Sequence, residues 1–144
     1  MIWLLRHGEA EDEADHDASR ELTAKGERQA RAAGAALKAL GVEIDACLTS
    51  PKARSVQTAR LACEPLGIQP ELNEALRGGD FDPGELAAGH GEVLLVGHEP
   101  DISRAIQLAT GGRVELKKGS LAALDGSALV TLLRPATLRR VAGL

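Results

Sequence analysis

Two arginines and two histidines stand out because each lies at or just beyond an apolar run. "LLRHGEA" carries Arg6, His7 and Gly8, "LTSPKARSVQTA" carries Arg54, and "LLVGHEPDIS" carries Gly97-His98. A guanidinium is always charged and takes two phosphate oxygens in a planar fork. A neutral imidazole attacks with one ring nitrogen when the other is held by a hydrogen bond. For His7, an Nδ1–H given to a backbone carbonyl leaves Nε2 as a lone pair for phosphorus, and cationic neighbours keep the ring partly neutral. Gly8 lets the backbone turn sharply and approach the phosphate closely. The chemistry these types suit is nucleophilic displacement on a tetrahedral dianion.

Such residues must be brought together by the elements that carry them. Residues 2–6 read as a buried strand, "IDACLTS" as a second and "EVLLVGH" as a third. Thr23 is the expected N-cap of a helix marked by Ala30, Ala33, Leu37 and Leu40, which Gly41 stops. Ser50-Pro51 reads as the cap and first residue of the next helix, whose stripe is Val56, Ala59, Cys63 and Leu66. The stretch 67–91 reads as irregular, with a helical turn after Asp82-Pro83. Ile102, Ala105, Ile106 and Ala109 mark a further helix ending at Gly111-Gly112. "SLAAL" and "ALVTLLRP" flank Asp125-Gly126 as a hairpin, and "ATLRRVAGL" reads as a short terminal helix.

Strands alternating with helices and then a hairpin predict a three-layer α/β/α sandwich, its sheet mostly parallel with an antiparallel C-terminal edge. Residues 1–144 read as one domain without repeats or linkers. In such a sheet ligands bind beyond the carboxyl ends of the parallel strands, so Arg6, His7, Arg54 and His98 are expected to converge there.

Composition removes other classes. Trp3 and Phe81 are the only aromatics besides histidine, too few for base-stacking platforms, and a net charge of −4 offers no basic field for a polyanion. No nucleic-acid or membrane partner is expected. No run approaches a membrane span and the N-terminus lacks signal-peptide features, so the expected location is the cytoplasm. Cys47 and Cys63 suit neither a zinc site nor a CxxC pair and read as packed, reduced thiols. His16, His90, Lys117 and Lys118 read as surface residues. The acidic run "EDEADHD" lacks the glycine and glutamate of an EF-hand and reads as a solvated loop bordering the site.

"LLRHGEA", "SRELTAKGERQA", "SPKARSVQTA" and "VGHEP", in that order, resemble the signatures of the histidine phosphatase superfamily, which includes cofactor-dependent phosphoglycerate mutases. Short length and "VELKKGSLAAL" look most like its small SixA-type phosphohistidine phosphatases. The resemblance implies that His7 is phosphorylated during turnover, that Arg6, Arg54 and His98 hold the phosphoryl group, and that neither metal nor cofactor is needed. "LNE" is similar to the mutases' acid segment, which makes Glu74 the candidate general acid and Asp80 the alternative. The expected function is metal-independent dephosphorylation of phosphohistidine on a protein, such as a phosphotransfer domain of a signalling relay. The alternatives are a small-molecule phosphomonoesterase and a non-catalytic phosphate-binding regulator.

Overall fold

Period-two alternation in the strands decides which way each side chain faces. The computed structural model describes all of residues 1–144. Its strands are β1 (Ile2–Arg6), β2 (Ala46–Thr49), β3 (Pro70–Leu72), β4 (Val93–Gly97), β5 (Leu121–Asp125) and β6 (Ala128–Leu133). Its helices are α1 (Ala24–Ala39), α2 (Ala53–Cys63), α3 (Pro83–Ala87), α4 (Asp101–Thr110) and α5 (Pro135–Val141). One six-stranded sheet runs in the order β3-β2-β4-β1-β5-β6. The first four strands are mutually parallel, and β5 and β6 are antiparallel.

Trp3 and Leu5 of β1, Cys47 of β2 and Leu94 and Val96 of β4 pack on Ala33, Ala36 and Leu37 of α1, on α2 and on Leu138 of α5. Leu4, Leu48, Val93 and Leu95 face the other way, toward Ile102 and Ile106 of α4 and Leu86 of α3. Two cores, one on each face, make the three-layer sandwich. All five residues of β4 are buried, as a central parallel strand requires. Each large aliphatic side chain buried there contributes about 1.5–3 kcal/mol. Cys47 and Cys63 are both buried as free thiols in the first core.

Thr23 caps α1 as expected, its hydroxyl accepting from Gly26 N at 3.1 Å. Three local expectations differ. Segment 67–91 contains a strand, β3, which its proline and glutamate disguise; it sits at the sheet edge, where a missing ladder donor is tolerated. Helix α2 starts at Ala53 rather than Pro51, and the Ser50 hydroxyl, instead of capping it, accepts from Lys52 N and lies 2.8 Å from a histidine ring. Its buried face is polar at that end: Ser55 and Thr58 are fully buried, whereas Val56 is only partly so. No helix is long and apolar enough to cross a membrane.

Candidate active site

The carboxyl ends of β1, β2 and β4 deliver their side chains to one hollow. Arg6, His7, Arg54 and His98 all line a cavity of about 230 Å³. The centroids of the two imidazoles lie 5.2 Å apart. Both rings are nearly buried, at 6% exposure each, as is Arg54 at 5%. The cavity is bordered by Arg20, Lys52, Arg77 and Lys118 as well, against the carboxylates of Glu99 and Asp101. A chain of net charge −4 thus concentrates six of its 17 cationic side chains around one small volume.

His7 is fixed from both sides. Its amide donates to Gly97 O of β4 at 3.0 Å, and its Nδ1 lies 2.7 Å from Gly8 O. A carbonyl only accepts, so Nδ1 carries the proton and the neutral ring keeps its lone pair on Nε2. Burial, then the charges of Arg54, Arg6 and Lys118, lower the His7 pKa to about 4, against the opposing pull of the Gly8 bond. Burial, then the adjoining His7 ring and the charges of Arg54 and Lys52, take His98 down to about 3 against the opposing pull of Asp17. Both imidazoles are neutral at physiological pH, the form that can attack or donate without first losing a proton.

Gly8 departs from its expected role. Its N–H donates to Thr58 Oγ1 at 3.0 Å and its carbonyl holds His7, so its backbone orients the His7 ring instead of lining the cavity. The absence of a side chain serves packing: a Cβ there would come within 2.5 Å of Gly26 O in α1. The Thr58 hydroxyl in turn donates to Arg54 O at 2.7 Å, which ties the loop after β1 to the helix that carries the second arginine.

His98 Nε2 lies 2.8 Å from Ser50 Oγ and 3.4 Å from Ser55 Oγ. Ser50 Oγ already accepts from Lys52 N, which leaves its hydroxyl proton to donate toward Nε2. A ring accepting at Nε2 carries its proton on Nδ1, and His98 Nδ1 is buried with no partner in the protein. Arg6 Nε and Arg54 Nε are likewise buried and unpaired. Arg6 spends Nη1 on Leu116 O at 2.8 Å, and burial lowers its pKa against the pull of Glu99 and Glu115. Unpaired buried donors are costly in isolation, so three beside one cavity describe a receptor for an oxyanion.

The structure does not bring Glu74 into this group. Its carboxylate is exposed and bonded to Arg77 Nε at 2.9 Å, a bond that lowers its pKa, and it reaches the cavity only through that arginine. The 3-10 turn at Glu74–Leu76 buries Leu76, and the carboxylate faces solvent in consequence. Asp80 is also outside, paired with Arg104 at 2.9 Å. His16 and His90 are exposed, as read. Lys117 pairs with Glu115, whereas Lys118 reaches the cavity wall.

Sequence reading missed several participants. Glu99 and Asp101 directly follow His98 in "GHEPD", and that adjacency was the available signal. Glu99 accepts from Ser103 N at 2.7 Å and Leu116 N at 3.2 Å, a structural commitment of both oxygens. Asp17, from the acidic loop, meets Arg54, Lys52 and Arg20. No cluster of three or more metal-ligating side chains occurs.

Residues 2–88 match the histidine phosphatase superfamily (branch 1). The chain is similar to an uncharacterised protein of Picosynechococcus sp., 37% identical over 142 residues, which covers 88% of this chain and 86% of that one. It is also similar to the 2,3-bisphosphoglycerate-dependent phosphoglycerate mutase of Caulobacter vibrioides, 33% identical over 130 residues and 80% of this chain. The alignment spans 54% of that mutase, about half its length. Among solved structures, the protein histidine phosphatase SixA complexed with tungstate matches at a TM-score of 0.83 and 26% identity, covering 95% of this chain and 98% of that one.

Proposed function

The chain belongs to the histidine phosphatase superfamily, with the SixA-type fold, and acts as a phosphatase; from that premise we propose that its substrate is phosphohistidine displayed on another protein. The observation that carries this reading is a strong anion clamp from which both candidate general acids, Glu74 and Asp80, are absent. Expelling an alcohol from an ester produces a group whose conjugate acid is about as weak as water, pKa about 15.7. That reaction calls for a positioned acid, worth about 10²–10⁴-fold. Imidazole, with a pKa of about 6.5, leaves with a proton taken from solvent.

His7 Nε2 attacks phosphorus while the P–N bond of the substrate breaks, and the departing imidazole picks up its proton from water. Arg6, Arg54 and His98 Nδ1–H hold the nonbridging oxygens as their charge shifts, which is most of the catalysis in a loose transition state. Water then attacks the phosphoenzyme and its P–N bond breaks. Inorganic phosphate departs and His7 returns to its neutral state. The SixA structure is complexed with tungstate, a tetrahedral oxyanion like phosphate, which supports an oxyanion as the ligand.

A second reading, hydrolysis of a small phosphomonoester, is favoured by Asp101. It lies on the cavity wall and its carboxyl group has no hydrogen bond or ion pair within the protein, so it is placed to give a proton to a departing alkoxide. The test compares kcat/KM on a phosphohistidine protein with that on serine and sugar phosphates, for the native chain and for Asp101→Asn. A phosphohistidine preference that survives Asp101→Asn supports the proposal. Faster ester hydrolysis, lost in Asp101→Asn, overturns it.

A further inference from the structure

Asp17 is 60% exposed and belongs to a loop read as mere solvated surface, yet three cations converge on its carboxylate. Arg20 Nη2 stands 3.0 Å from Oδ1, and Lys52 Nζ and Arg54 Nη2 stand 3.3 and 3.2 Å from Oδ2. The same residue engages Arg54 a second time, its backbone carbonyl accepting from Nη1 at 2.9 Å. Both terminal nitrogens of the guanidinium are therefore gripped by one residue. The Nε–H remains buried with no partner in the protein.

We propose that Asp17 is a positioning residue that holds the Arg54 guanidinium by its terminal nitrogens and presents the Nε side to the phosphoryl oxygens. This rests on the phosphatase reading above. A guanidinium offers five N–H donors in a rigid plane, so fixing two of them fixes the direction of the rest. Asp17 also supplies the negative charge that lets an arginine remain buried between a lysine and another arginine. Burial pushes the Asp17 carboxyl up, but the charges and hydrogen bonds of Arg54 and Lys52 together outweigh it and hold it at about 2, so the clasp stays charged across the neutral range.

The experiment is a double-mutant cycle of Asp17→Ala and Arg54→Ala on a phosphohistidine peptide and on p-nitrophenyl phosphate, with Asp17→Asn and Asp17→Glu as graded variants. Asp17→Ala is expected to lower kcat/KM about 10- to 100-fold in the native background, as a misdirected catalytic group does. In the Arg54→Ala background it is expected to cost less than about 2-fold, because the guanidinium it orients is gone and its pairs with Lys52 and Arg20 lie at the exposed rim. Asp17→Glu should recover part of the loss, a recovery that a merely structural role would not show. Equal losses in both backgrounds, no loss, or a gain on Asp17→Ala would overturn the proposal. Should the native chain turn over neither substrate, the phosphatase reading falls by itself. The same cycle read as tungstate affinity by calorimetry then judges Asp17 alone. Should Asp17→Ala fail to fold, Asp17→Asn carries the cycle.

Discussion

The parallel and antiparallel halves of the sheet reach the same hollow by different means. Strands β1, β2 and β4 end in, or lead directly to, the side chains of Arg6, His7, Arg54 and His98. The antiparallel half contributes backbone: Gly119 N, just before β5, donates to His7 O at 3.0 Å and Arg6 O at 3.2 Å, while Arg6 N donates to Ser120 O at 3.0 Å. Its one side chain on the wall is Lys118. Parallel strands give a site its reactive groups, because all their ends open on one edge. The antiparallel neighbour cannot do this and instead fastens the main chain at Arg6 and His7.

That division predicts separable failures. His7→Ala removes the attacking atom and is expected to cost about 10⁵-fold or more in turnover with the far-ultraviolet spectrum unchanged. Residual activity near the native level would refute the nucleophile assignment. Arg54→Ala removes one arm of the clamp, and a loss of about 10²–10³-fold in kcat is expected from steady-state kinetics.

Acid should reach the site late. His7 is expected to titrate near pH 4, followed through its ring resonances, well below the ordinary imidazole at about 6.5. Because the folded value is depressed, the unfolded chain binds a proton between those limits that the folded chain refuses. The stability contributed by the neutral ring is therefore complete above about pH 6.5 and is lost as pH falls toward 4. Urea unfolding at several pH values checks the sign.

On the antiparallel side the expected effect is one of stability. Gly119 has φ of +81°, and a Cβ there would stand 2.9 Å from Gln29 Cβ. Gly119→Ala should cost about 1–3 kcal/mol of unfolding free energy, with a smaller loss of rate than Arg54→Ala. A native melting temperature would mean that this anchor is dispensable. Glu74→Gln is the smallest change, expected to leave both the melting temperature and the phosphohistidine rate unchanged. A large rate loss there would return Glu74 to the chemistry.

How much of this could be read from residues follows from where the information lies. The three long-range strands announced themselves by apolar runs, and the four clamp residues by standing at their ends. Strand β3 was hidden because an edge position tolerates proline and charge, which erases alternation. Ser50 looked like a cap because Ser-Pro usually is one, and only the fold brings His98 within 2.8 Å to claim the hydroxyl. Glu74 and Asp17 exchanged importance for a similar reason. Spacing along the chain says nothing of which acidic loop residue bends toward a buried arginine and which toward a surface one.

The contact of Gly8 with Gly26 also bears on how this chain can change. A Cβ on either residue would run into the backbone of the opposing segment, and Gly34 meets α2 at Ala62 in the same way. Helix α1 is thus seated against the loop after β1 with no side chain as a spacer, like a gauge block set by bare metal. Mutations in the loops around the mouth can accumulate and reshape what the cavity admits, but along this seam even one methyl group would be transmitted to the His7 ring.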